Sequence, residues 1–306
     1  MVLSPEGAPQ DSQGRSPWIQ AGRTPGSPEG APHPLSARPF LKWAGGKRQL
    51  LPELLARVPA TFGRYHEPFV GSGALFFALH ARGFGAKARL SDANGPLVEA
   101  YKAIRDDVEG VIASLSTHEN DEGYFYRVRG LDPRTLPPTE RAARILYLNR
   151  TCFNGLYREN RSGRFNVPFG RYANPRICDG ENLRAVSRAL KGVVVSRRGY
   201  AGVLKIAKPG DLVYFDPPYQ PVSTTSSFTG YNRHGFREAD QRRLRDVFAE
   251  LASRGVHVLL SNSDTPRVRE LYAGFRIDRV WASRAINSKG DRRGKVAEVI
   301  VQAGPA

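Results

Sequence analysis

A short apolar run, YHEPFV (65–70), stops at Gly71-Ser72-Gly73 and gives way to ALFFALHARG, whose apolar residues recur at helical spacing, before a second apolar run ends at Asp92. A strand, a tight glycine turn, a helix and another strand in that order favour parallel pairing, because the helix carries the chain back across the sheet before the second strand begins. The alternation resumes further on, with strands expected at 193–196, 211–215, 256–261, 275–281 and 296–301 and helices at 238–254 and 266–273. An open, mostly parallel α/β sheet is the fold this pattern predicts.

Two regions depart from the rhythm. Residues 1–38 are rich in Pro, Gly and Ser (SPEGAP, TPGSPEGAPHP), with Trp18 and Ile19 nearly alone as large apolar residues. Such a composition cannot offset the entropy of ordering, so a disordered tail is expected. Residues 97–190 are helical at first (EAYKAIRDDVEGVIASL, TERAARILYLNR) and then run through FNGLYRENRSGRFNVPFGRYANP, where Ser162-Gly163 suggests a hairpin. This predicts an inserted subdomain that splits the α/β part into 39–96 and 191–306. Its arginines, from Arg150 through Arg158, Arg164 and Arg171 to Arg176, are interleaved with aromatics, as in a surface that meets phosphates and bases. A solvated basic loop is the other reading.

Charge points the same way. The chain carries 46 Lys+Arg against 29 Asp+Glu, a formal +17, which favours a polyanionic partner, although an Arg-preferring genome would leave the same excess. Cys152 and Cys178 show neither CxxC spacing nor a Cys/His cluster, so no disulfide framework and no metal site are expected. With no apolar run near the ~18 residues of a membrane span, and no secretory pattern at the N-terminus, the expected location is a reducing cytoplasm, away from membranes.

Three short motifs carry chemistry. Gly71 and Gly73 let the backbone turn sharply and a ligand lie against it, and Asp92 ends the next strand where a carboxylate can accept hydrogen bonds from a ribose diol. Phe76 stands where a dinucleotide fingerprint would have its third glycine, so the pair suggests an adenosine-type ligand; taken alone, a tight structural turn reads about as well. Asp216-Pro217-Pro218-Tyr219 follows the apolar strand LVYF. Its prolines remove two N–H donors and fix the turn, which shows carbonyls beside a carboxylate and an aromatic face. An exocyclic adenine amine is a poor nucleophile until acceptors draw its two N–H bonds towards tetrahedral geometry, and Asp216 with the Pro217 carbonyl can do this while Tyr219 stacks on the base. A rigid surface turn is the competing reading. In PFLKWAGGKRQLL, Trp43 can cover a purine or a sulfonium and Lys47 can meet a carboxylate.

KWAGGK, EPFVGSGALFF, SDAN, FNGLYREN with GRFNVPFGRY, DPPY and LLSNSD, in that order over residues 39–301, resemble the Dam-type, D12 class of adenine-N6 DNA methyltransferases. The resemblance implies a Rossmann-like sheet dependent on S-adenosylmethionine, its last strand antiparallel, with a mainly helical target-recognition domain inserted at 97–190. It implies that Trp43, Lys47, Phe69, Asp92 and Asp216 contact or border S-adenosylmethionine, and that Asp216, Pro217 and Tyr219 hold the target adenine. Double-stranded DNA would be read by Phe153, Asn154, Leu156, Arg158, Pro168, Arg171 and Tyr172, within GATC, with Arg158 on guanine. The implied chemistry is base flipping and direct in-line methyl transfer without metal or covalent intermediate. A monomer is expected, since one subunit carries every part, and the resemblance leaves room for a cognate restriction endonuclease as partner. One departure stands out: Arg197, Arg198 and Gly199 occupy a place where the family often has an acidic or polar group near the cofactor's adenine. A cytosine-N4 enzyme would more often show SPPY, a glutamine methyltransferase Asn at 216, and a silent DNA-binding protein would not need KWAGGK and DPPY intact.

Overall fold

The computed structural model describes residues 36–43, 45, 47, 49–84, 87–160, 162–220, 236–283 and 295–305. The tail expected over residues 1–38 therefore lies outside the described residues except for 36–38, and so does Arg161 of the basic loop.

Helix α1 (Leu51–Leu55) precedes β1 (Tyr65–Glu67), α2 (Ala74–Ala81) and β2 (Ala88–Asp92). A run of helices follows: α3 (Gly95–Asp106), α4 (Val108–Ser116), α5 (Glu122–Gly130), α6 (Pro138–Thr151) and α7 (Gly180–Leu190). The chain then returns through β3 (Val194–Arg197), a 3₁₀ turn (Tyr200–Lys205), β4 (Leu212–Phe215), α8 (Glu238–Ser253), β5 (His257–Ser263), α9 (Pro266–Leu271), β6 (Arg276–Ser283) and β7 (Lys295–Ala303). The strands form one sheet in the order β3-β2-β1-β4-β5-β7-β6. From β3 to β5 neighbours are parallel, and β7 runs antiparallel to both β5 and β6. This is the mixed α/β sheet that the alternation predicted, with the antiparallel strand the resemblance implied.

Patterning explains the layers. All four residues of β4 are buried, as befits a strand covered on both faces. Leu244, Val247, Phe248 and Leu251 of α8 pack with Val213, Phe215, Val258 and Leu260 on one face. On the other, Tyr65, Leu90 and Tyr214 share a core with Phe76 and Phe77 of α2, Tyr101 and Ile104 of α3, and Leu146 and Tyr147 of α6. The helices between β2 and β3 thus join the main core, and α3 itself straddles residue 97. Two local devices aim the chain at the sheet's carboxyl edge. Gly73, at φ +67, begins α2 in a left-handed conformation that side chains disfavour. Asn94 caps α3 by accepting from the Leu97 amide at 2.9 Å. Among the described residues no helix is long and apolar enough to cross a membrane.

Candidate active site

The parallel strands deliver Glu67, Asp92 and Phe215 to one edge of the sheet, and the Asp216-Pro217-Pro218-Tyr219 turn leaves β4 there. Asp216 Oδ1 meets Lys47 Nζ at 2.9 Å and accepts from Ser261 Oγ at 3.0 Å. Because Ser261 spends its proton on Asp216, the Tyr214 hydroxyl donates to Ser261 Oγ, 2.9 Å away. Lys47 also donates to the Gly45 carbonyl at 2.7 Å, and its ammonium lies 4.2 Å from the centre of the Tyr219 ring. Tyr219 in turn donates to Glu298 Oε2 at 2.8 Å.

The turn is anchored from below. Gln241 of α8 donates to the Pro218 carbonyl at 3.2 Å and accepts from Asn262, whose own side-chain oxygen takes the Gln220 amide at 3.1 Å. Pro217 is buried, and the Asp216 side chain keeps a fifth of its surface open. Burial raises the Asp216 carboxyl above the usual carboxylate range, against the downward pull of Lys47 and the Ser261 hydrogen bond. Glu67, deeper and hydrogen-bonded by Tyr65 at 3.0 Å, is pushed well above that range by burial.

The glycine turn forms the other half of the site. Asp92 accepts from the Gly71 amide at 3.2 Å and the Asn94 amide at 2.9 Å, and burial pushes its carboxyl up to about 6. Tyr101 donates to the Gly71 carbonyl at 3.1 Å. Gly71 sits at φ +47, and a Cβ there would stand 2.9 Å from the Trp43 ring. Phe69 stacks on Tyr200, with ring centres 5.4 Å apart, and meets Phe215 and Phe236 edge-on. The structure thus places Trp43 and Asp92 against the glycine turn, Lys47 against Asp216 and Tyr219, and Phe69 against the last residue of β4. Arg197 and Arg198 border this group: Arg197 donates to the Ala93 carbonyl at 3.3 Å, and the Arg198 amide to the Asp92 carbonyl at 3.1 Å.

The basic loop is a hairpin-like fold closed by antiparallel bridges between Cys152 and Phe169 and between Glu159 and Phe165. Phe153 is half exposed, and Asn154 takes a left-handed φ of +55. Asn154, Arg158, Pro168 and Arg171 are exposed, while Leu156 and Tyr172 are partly buried. Arg158 Nε donates to Asn166 Oδ1 at 2.8 Å, and Lys42 Nζ stands 4.9 Å from the Tyr172 ring centre. Residues 42 and 43 link this loop to the glycine turn. Lys42 exchanges two backbone hydrogen bonds with the Asn149 side chain, both 2.8 Å, and Trp43 stacks on Tyr157 at 5.2 Å.

Sequence reasoning missed Ser261, Asn262, Gln241 and Glu298. Ser261 and Asn262 lie in LLSNSD, whose resemblance to the family implied no role for either residue. Gln241 and Glu298 carried no local signal.

The sequence profile of the D12 class N6 adenine-specific DNA methyltransferases matches residues 43–286. The chain belongs to this class. The enzyme is 44% identical over 275 residues to the type II methyltransferase M1.LlaDCHI of Lactococcus lactis subsp. cremoris, across 87% of this chain and 95% of that one. It is 40% identical over 277 residues to the type II methyltransferase M.MjaIII of Methanocaldococcus jannaschii, across 85% and 96%. With the DNA adenine methylase of Escherichia coli it shares 35% over 267 residues, across 86% and 94%. This is an adenine-specific DNA methyltransferase, and its class implies S-adenosylmethionine as methyl donor and DNA as substrate.

Proposed function

We propose that the enzyme turns adenine out of duplex DNA, within GATC, and methylates its N6 by direct in-line transfer at the Asp216-Pro217-Pro218-Tyr219 turn. The observation that carries this reading is the Asp216 carboxylate beside the Tyr219 ring, both held at the carboxyl end of β4 where a ligand of an open α/β sheet sits.

S-adenosylmethionine, when bound, supplies a methyl group on a positively charged sulfur. The residues fit such a group: Asp92, held against the Gly71 amide at the end of β2, offers carboxylate oxygens for ribose hydroxyls. Phe69 and Trp43 present aromatic faces at the same edge, with Lys47 and Asp216 beside them. Tyr219 stacks on the extruded base, which helps to offset the few kcal/mol that flipping costs. Asp216 and the Pro217 carbonyl accept the two N6 protons and draw the amine towards tetrahedral geometry. As N6 gains the methyl group it becomes cationic and must shed one proton, and Asp216, raised by burial, is placed to take it. Lys47 lies over the ring face that the base would cover, so base entry displaces it.

Residues 97–190 serve in this reading as the target-recognition part and 39–96 with 191–306 as the catalytic part. Arg158, exposed and braced by Asn166, reads guanine through O6 and N7. Phe153 or Asn154 fills the space the base leaves, and Leu156, Pro168, Arg171 and Tyr172 complete the contact. One chain holds all these parts, so it acts as a monomer in the cytoplasm; its type II relatives suggest a cognate restriction endonuclease as partner. The direct test is Asp216→Ala. Methyl transfer to unmethylated DNA should be abolished while DNA binding persists, and a variant retaining most of its activity would mean that another group prepares the amine.

A further inference from the structure

The antiparallel strand brings a side chain to the site from a direction no parallel strand can use. The parallel strands leave the sheet at the site's edge, whereas β7 enters it there at Lys295, and its fourth residue, Glu298, pairs with Ser263 on one side and Val280 on the other. In that register Glu298 Oε2 accepts the Tyr219 hydroxyl at 2.8 Å. Tyr219 lies on the short turn after β4, and a tyrosine ring swings about two torsions unless its far end is held. Glu298 holds that end, while Lys47 occupies the ring face. Burial raises the Tyr219 hydroxyl well above its usual range, so it stays protonated and donates in this bond.

We infer that Glu298 is a positioning residue for methyl transfer: it fixes the Tyr219 ring in the orientation that receives the target base, and it acts through Tyr219 without touching the reacting atoms. This rests on the reading that Tyr219 stacks on the base. A hydrogen bond to a charged acceptor is among the stronger ones, and breaking it frees the ring without removing it.

The test compares the full-length enzyme with Glu298→Ala, Glu298→Gln, Tyr219→Phe and the Glu298→Ala/Tyr219→Phe pair. It follows the single-turnover rate, S-adenosylmethionine affinity, and the fluorescence of an adenine analogue placed at the target position of a duplex. Glu298→Ala and Tyr219→Phe should each slow transfer by about tenfold to a hundredfold, the loss expected for a hydrogen bond to a charged group. The pair should be no slower than the worse single variant, since both changes cut the same bond. Cofactor affinity should hold, the fluorescence rise on base flipping should shrink, and Glu298→Gln, which keeps an acceptor oxygen, should recover most of the rate. Multiplying losses in the pair, or a wild-type rate in Glu298→Ala, would overturn the inference. Should Glu298→Ala fail to fold, Tyr219→Phe breaks the same bond from the other end, and a wild-type rate there would overturn it equally. Tyr219→Ala separates the two ideas: a wild-type rate would remove the stacking reading itself, whereas an inactive Tyr219→Ala beside a fully active Glu298→Ala would keep stacking and sink only the role of Glu298.

Discussion

Asp92 ends β2 with one oxygen on the Gly71 amide and the other on the Asn94 amide, and burial still lifts its carboxyl to about 6. A carboxyl raised in the folded state binds its proton more tightly there than in the unfolded chain. The stability gained from neutral Asp92 in the ligand-free protein is therefore complete below 3.8 and lost as pH rises through about 6. Ribose hydroxyls need the ionised form, so cofactor binding should tighten as pH rises through the same interval. Calorimetric titrations with S-adenosylmethionine should show that slope in the wild type and a flat profile in Asp92→Asn; matching slopes would move the titrating group elsewhere. Arg158 gives a second prediction. Arg158→Ala should relax preference at the first base of the target by ~1 to 3 kcal/mol, more than it lowers activity on the cognate site. Rates on duplexes substituted one position at a time would show it, and equal losses on every sequence would make Arg158 a phosphate contact. The place of Asp92 beside the glycine turn was legible because it sits in a short motif whose chemistry is local. The partner of Lys47 was not, since nothing between Lys47 and Asp216 in the chain hints that the two meet at 2.9 Å.

The glycine turn shows why the elements were readable and where they were not. Gly71 combines a left-handed φ with the Trp43 ring packed where a side chain would go, so Gly71→Ala strains the backbone and pushes Trp43 off the turn. It should weaken S-adenosylmethionine binding at least tenfold and lower the melting temperature, with DNA affinity nearly kept; unchanged cofactor affinity would mean that the turn is only structural. The seven strands lay close to where apolar patterning put them. β1 is shorter than expected, Tyr65–Glu67 against 65–70, because Pro68 has no N–H to give the ladder and the turn begins there. The change of rhythm placed at residue 97 falls within α3, which begins at Gly95-Pro96, where proline in the first helical turn marks a start. The strand of Glu298 was foreseen, but its register with Ser263 was not, and register alone carries Glu298 to Tyr219.

At the scale of the molecule, one edge of one sheet gathers the glycine turn after β1, the acid of β2 and the Asp216-Pro217-Pro218-Tyr219 turn after β4, and residues 42–43 tie that edge to the basic loop. Along the chain, the glycine-turn motif and the Asp216-Pro217-Pro218-Tyr219 motif flank the arginine-rich segment. The tie through Lys42 and Trp43 was hidden, because it depends on Asn149 and Tyr157, residues with no motif value of their own. The formal charge of +17 favours DNA as a whole and says nothing about which adenine is chosen. The decisive measurement is to incubate the purified enzyme with labelled S-adenosylmethionine and genomic DNA lacking adenine methylation, then map every modified base. N6-methyladenine confined to GATC is the predicted result. N6-methyladenine at other sequences would contradict the assigned target, and methyl groups on cytosine N4 would contradict the reading of the site itself.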